Sequence, residues 1–199
     1  MKPILFNTEM VRAILDGRKT QIRRVIKPQP TNPRWNNVGW LGWDDGHGYR
    51  MRPPCELGDI LWVRETWNHV KFGLGDWHYE YRADYDDPSK WSNRSFAQWR
   101  PSIHMPREAA RIFLRVTDVR VERLQEITKE QARAEGCDGR CDCPSSGTDG
   151  SLCCVERDFS LEKFESVWDS TIKRSDLPLY GWYANPWVWV IEFERCDKP

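Results

Sequence analysis

The chain has 199 residues, 39% of them hydrophobic, and 30 basic against 30 acidic side chains, so its formal net charge is zero. That is enough chain for one core, but there is no whole-molecule field to draw in a polyanion, and any nucleic-acid contact must come from a local basic patch. No apolar run approaches the roughly 20 residues that span a bilayer, and Met1 to Phe6 is too short for an export signal, so the sequence reads as cytoplasmic with no membrane partner.

Residues 3–6 read as a first strand. A helix follows over 8–16, with Met10, Val11, Ile14 and Leu15 on one apolar face, Asn7 or Thr8 as N-cap and Gly17 as a left-handed stop. The segment Gly17-Arg18-Lys19-Thr20-Gln21-Ile22-Arg23-Arg24 packs four cations into a predicted basic turn. It is either a solvated turn or a binding site made of Arg18, Lys19, Thr20, Arg23 and Arg24. Like charges beside Lys19 favour its neutral amine, which would suit it to act as a base.

Lys27-Pro28-Gln29-Pro30-Thr31-Asn32-Pro33 opens a loop. Trp35, Trp40 and Trp43 then fall among glycines and aspartates that make a poor strand, either as the wall of a cleft or as packing over the end of the fold. Turn chemistry over 53–59 leads into a strand from Ile60 to Arg64, and Arg64, Glu65, Thr66 and Trp67 lie at its exit. There a charged pair beside an aromatic ring can orient a planar base, or can be a plain ion pair.

From Trp77 to Ala83 aromatic and polar residues alternate, which predicts a strand with Trp77, Tyr79 and Tyr81 on one face. An insert-like stretch over about 84–100 has no clear period. Two prolines then bracket His104, which is either a ligand contact or a structural histidine. A long strand is expected over Arg111 to Arg123, with a break near Thr117-Asp118. A capping box, Thr128-Lys129-Glu130-Gln131, starts a short helix that ends near Gly136. Glu135 falls at the end of this helix, where the dipole disfavours a carboxylate and so favours the proton uptake that a general base requires.

A second insert-like stretch, about 137–158, holds Cys137, Cys141, Cys143, Cys153 and Cys154 among glycine, serine and aspartate. These thiols are either a structural zinc site or a cytosolic loop without metal; no histidine lies nearby to suggest catalytic zinc. A helix capped by Ser160 should turn Leu161, Phe164, Val167 and Trp168 to the core, and Trp187 to Glu194 alternates as a last strand. With no repeat and no linker, residues 1–199 read as a single domain.

The Gly-Arg-Lys-Thr-x-x-Arg segment after a short amphipathic helix, Gly58 to Glu65 and the strand ending Val190-Ile191-Glu192-Phe193 together resemble the ASCH domain family of the PUA-like superfamily. Pro101 to Arg107 and Ala184 to Trp189 are most similar to phage- and prophage-type members. The resemblance spans Lys2 to Arg195 outside the two inserts. It implies an α+β fold, a PUA-like β-barrel with flanking short helices, and a nucleic-acid or modified-nucleoside binding function in which a basic turn and an aromatic-lined cleft hold single-stranded RNA or a modified nucleoside. One branch of the family consists of amidohydrolases acting on N-acetylated cytidine. Their lysine falls on Lys19 and their glutamate on Glu135, so the alternative is such an amidohydrolase, or an RNA hydrolase, built on those two residues. The branch's second threonine falls on Ile22, which has no hydroxyl to act as nucleophile.

Overall fold

The computed structural model describes residues 1–30, 32–36, 39–44, 50–71, 75–85, 98–139 and 158–199. Its first half contains β1 (Lys2–Leu5), α1 (Thr8–Leu15), β2 (Gln21–Val25), β3 (Asn32–Asn36), β4 (Gly39–Asp44), β5 (Arg50–Met51), β6 (Ile60–Arg64), β7 (Trp67–Lys71) and β8 (Trp77–Tyr81). Then follow β9 (Phe113–Arg123), α2 (Lys129–Ala134), α3 (Ser160–Thr171), α4 (Leu177–Tyr180) and β10 (Trp187–Cys196). The class is α+β, as expected. Among the described residues the strands hydrogen-bond in the open orders β1-β6-β9-β10-β2, β3-β4-β5 and β7-β8, and no closed barrel is formed.

The chain falls into two compact units. The first comprises Met1–Lys19, Cys55–Thr117 and Phe193–Pro199; the second comprises Thr20–Pro54 and Asp118–Glu192. The expected break near Thr117-Asp118 does not interrupt the strand. β9 is continuous there, and the position marks its passage from the first unit into the second.

In the first unit β1 runs parallel to β6, Lys2 opposite Leu61, and β6 runs antiparallel to the start of β9, Leu61 opposite Leu114. α1 follows β1 because Asn7 caps it, its side-chain oxygen accepting the Met10 N–H at 2.8 Å, and because Gly17 at φ 74° ends it in a conformation that glycine adopts without strain. Its buried face is Val11, Ala13 and Ile14. β7 and β8 form a hairpin ladder, and Trp62, Trp67, Met105, Ala109, Ala110 and Phe113 make a core cluster beside it.

In the second unit β2 pairs antiparallel with β10, from Gln21 opposite Glu192 to Val25 opposite Val188. Residues 21–24 were expected as the end of a basic turn; 21–25 are a strand because Ile22 and Val25 suit a pleated sheet and the buried Arg23 finds carboxylates. Residues 32–36 and 39–44, expected to be poor strand formers, pair as β3 and β4 with an irregularity between Pro33 and Trp35. Leu124, Ile127, Ala132, Cys137, Phe164, Trp168, Val188 and Val190 build the core under α2 and α3. In α3 the buried stripe is Ser160, Phe164 and Trp168 at fourfold spacing. Val167, expected in the core, is exposed one residue off that stripe. Ser160 opens the helix but does not cap it: its own N–H donates to Asp158 Oδ1 at 3.0 Å.

Candidate functional site

The residues of the basic segment meet different environments. Arg18 is exposed and pairs with Asp16 at 2.8 Å. Lys19, in the first unit, is only 2% exposed, an unusual burial for a lysine; its backbone N–H donates to Ala13 O at 2.9 Å and its ammonium lies 5.9 Å from the Phe6 ring centroid. Thr20 is exposed, and its backbone N–H donates to Ala134 O at 2.8 Å within the second unit. Ile22 is buried in the β2–β10 ladder opposite Ile191.

Strand alternation sends Gln21 and Arg23 to one side of β2 and Ile22 and Arg24 to the other. Arg23 has a side-chain exposure of 0%. Its Nη1 donates to Glu135 Oε1 at 3.2 Å, and its Nη2 donates to Glu122 Oε2 and to Gln131 Oε1, each at 3.0 Å. Its Nε is buried without a hydrogen-bond partner, and the guanidinium carbon lies 5.8 Å from the Phe164 ring centroid. Arg24 is half-buried. Burial lowers its pKa, partly offset by the negative charge of Glu135.

Gln131 explains why the cluster forms at this helix. The capping box read from the sequence is present: Thr128 Oγ1 accepts the Gln131 N–H at 3.2 Å and Gln131 Oε1 accepts the Thr128 N–H at 3.0 Å. That same oxygen accepts from Arg23, and the Gln131 carbonyl accepts from Gln21 Nε2 at 2.6 Å. Glu135 occupies the C-cap of α2, followed by Gly136 at φ 93°. Glu122 also accepts from Arg120, whose guanidinium reaches Asp118 and Glu192 as well. Three carboxylates around one arginine raise the Arg120 pKa against the opposing effect of burial. Arg23 and Glu135 stand out from sequence as site residues, whereas Glu122 and Gln131 do not. The signals of the latter two were a glutamate two residues from Arg120, hence on the same face of β9, and the glutamine of the capping box.

In the first unit, Arg64 donates from Nε to Met105 O at 3.1 Å, with its guanidinium carbon 5.0 Å from the Trp62 ring centroid. Glu65 is 1% exposed and takes a two-pronged ion pair from Arg111, at 2.9 Å to Oε1 and 3.0 Å to Oε2. Burial nevertheless raises the Glu65 pKa above the ordinary carboxylate value, with Arg111 opposing. Arg111 also reaches Asp84 at 2.8 Å and lies 3.9 Å from the Tyr81 ring centroid. Trp67 is buried, its indole Nε1 has no hydrogen-bond partner, and Arg100 sits 5.1 Å from its ring centroid. His104 is exposed in a tight 3₁₀ turn.

Cys137 is buried in the second unit's apolar cluster; Cys141, Cys143, Cys153 and Cys154, the other ligands expected of a zinc site, lie outside the described residues. Among the described residues no group of three or more His, Cys, Asp or Glu side chains is arranged to hold a metal ion. No helix among them is long and apolar enough to cross a membrane.

No family model, no curated protein and no solved structure matches this chain.

Proposed function

We propose that the chain is a nucleic-acid or modified-nucleoside binding protein of the ASCH, PUA-like kind, with its base-reading groups in the cluster around Glu135. The observation that carries this reading is Arg23: a wholly enclosed guanidinium fixed by two carboxylates and an amide oxygen, with one N–H still without a partner. Buried polar groups are nearly always satisfied, so an orphaned donor in an otherwise ordered network calls for an explanation, and a site built around it supplies one. Enclosed as it is, Arg23 positions Glu135 and does not meet a phosphate. The exposed Thr20 and the half-buried Arg24, which feels the charge of Glu135, flank Arg23 along the chain. A nucleobase edge offers donors and acceptors in one plane, and a pre-oriented carboxylate beside an amide is suited to read it.

A second reading, hydrolysis of an acylated nucleoside, draws on Glu135, a carboxylate buried at the end of α2. It requires water as the nucleophile, because Ile22 is buried in a strand and has no hydroxyl. Calorimetric titration with free nucleosides and with N-acetylcytidine, alongside an assay for released acetate, separates the two. Binding without turnover is expected, and Glu135→Gln should abolish the binding. Ready turnover by the unaltered chain would make the hydrolase reading the correct one, and absence of any nucleoside binding would end both.

A further inference from the structure

The β7–β8 hairpin places Trp67, His69 and Lys71 directly opposite Tyr81, Tyr79 and Trp77. Strand alternation puts these six side chains on one face and Asn68, Val70, His78 and Glu80 on the other. On the aromatic face the rings form a file. Trp67 and Tyr79 have centroids 5.8 Å apart, Tyr79 and His69 stack at 4.7 Å and 21°, and His69 and Trp77 follow at 4.8 Å. The inner end packs on the core cluster of the first unit, whereas Trp77 at the outer end is 60% exposed. Core packing accounts for Trp67 and Tyr79 but not for an indole left uncovered at the end of a stack.

The charges beside the file include cations at both ends. Lys71, exposed, stands opposite Trp77, and Arg100 lies over Trp67. Two acids are also near: Asp76 precedes Trp77, and Glu108 accepts the Tyr79 hydroxyl at 2.8 Å.

We infer that this face is a stacking platform for single-stranded nucleic acid, with an unpaired base continuing the file on the outer face of Trp77 and its phosphate answered by Lys71. Aromatic files flanked by cations bind unpaired strands with little regard to sequence, since every base has a π-face, while a duplex keeps its bases inside. This deepens the proposed function but rests on a different unit of the chain, so the two can fail separately.

The test is fluorescence anisotropy at low salt with short labelled oligouridylate, oligothymidylate and a duplex, on the full chain. Trp77→Ala, at an exposed position and checked for an unchanged melting temperature, should weaken both single strands roughly tenfold, and Trp77→Phe should keep most of the affinity. Lys71→Ala should reduce the salt slope by about one. The RNA and DNA arms then show which sugar the platform prefers. Unchanged strand affinity in Trp77→Ala, or duplex bound as tightly as single strand, would overturn the inference. Nucleoside binding lost in Glu135→Gln but untouched by Trp77→Ala leaves the cluster reading standing whatever the strands do. Strand binding that depends on Trp77 without nucleoside binding leaves only the platform, and no binding of strands at all removes it.

Discussion

Arg23 and Glu135, 112 positions apart in sequence, meet inside the second unit at 3.2 Å, and the same guanidinium spans to Glu122 at 3.0 Å. Glu122 is shared in turn with Arg120, so a chain of alternating charge runs from the rim of β9 to the end of α2. Breaking a buried pair by removing one partner leaves an uncompensated charge, which costs about 3–5 kcal/mol. Glu135→Ala is therefore expected near the lower end of that range, since Glu122 and Gln131 remain on Arg23. Glu135→Gln, which keeps an acceptor, should cost less. Urea denaturation with an unchanged slope reads both; equal losses would assign the whole effect to the lost charge, and no loss in either variant would show that the charge of Glu135 is irrelevant to the fold.

How much of this was legible follows from which forces act locally. Asn7, Gly17, Thr128 and Gln131 announce helix ends through their own backbone chemistry, and the structure has those ends where the sequence puts them. The strand over 60–64 and the common face of Trp77, Tyr79 and Tyr81 are likewise readable from a period of two. Residues 21–25 were not. Two arginines in a row look like a solvated turn, and only partners about a hundred positions away, Glu122 and Glu135, make Arg23 tolerable in a strand. Val167 shows the same limit from the other side, because a hydrophobic residue near a helical stripe says nothing of whether a neighbour covers it. Neither Glu65 nor Arg111 could be paired from sequence, as 46 positions separate them.

The capping box gives a prediction that joins local and distant effects. Thr128→Ala removes one acceptor at the start of α2 and should cost about 1 kcal/mol. Because Gln131 Oε1 serves both the Thr128 N–H and Arg23 Nη2, loosening the cap should also loosen the arginine. A double-mutant cycle of Thr128→Ala with Glu135→Gln is expected to show a coupling of at least about 0.5 kcal/mol. Strict additivity would mean that the cap and the buried cluster are independent.

The Glu65 carboxyl yields a pH dependence with a definite sign. Its folded pKa lies above the unfolded value of about 4.3, because burial outweighs the help of Arg111. The folded chain thus binds a proton that the unfolded chain has lost. The associated stability is present below about pH 4.3 and disappears as the pH rises through the raised folded value. Glu65→Gln cannot titrate, so on acidification from neutrality the unaltered chain should gain stability relative to the variant. Parallel urea titrations across that window check it, and a difference that shrinks on acidification would mean that the ion pair with Arg111 dominates.

Cys55 supplies the last test, on a residue outside any proposed site. It is buried, and burial, with Asp59 adding to it and Lys2 opposing, pushes its thiol up to about 11. The thiolate is the reacting form, so two units above the ordinary value of 9.0 leave roughly a hundredfold less of it at a given pH near neutrality. Alkylation of the Cys55 peptide at pH 8, followed by mass spectrometry, should be at least about a hundredfold slower in the folded chain than in urea, since burial also blocks access. Its folded-state rate should climb toward pH 11. Lys2→Ala, which removes the cation holding Asp59 at 2.8 Å, should slow the reaction further by leaving Asp59 uncompensated beside the thiol. Labelling as fast in the folded chain as in urea would show that the first unit opens around Cys55 far more readily than its packing implies.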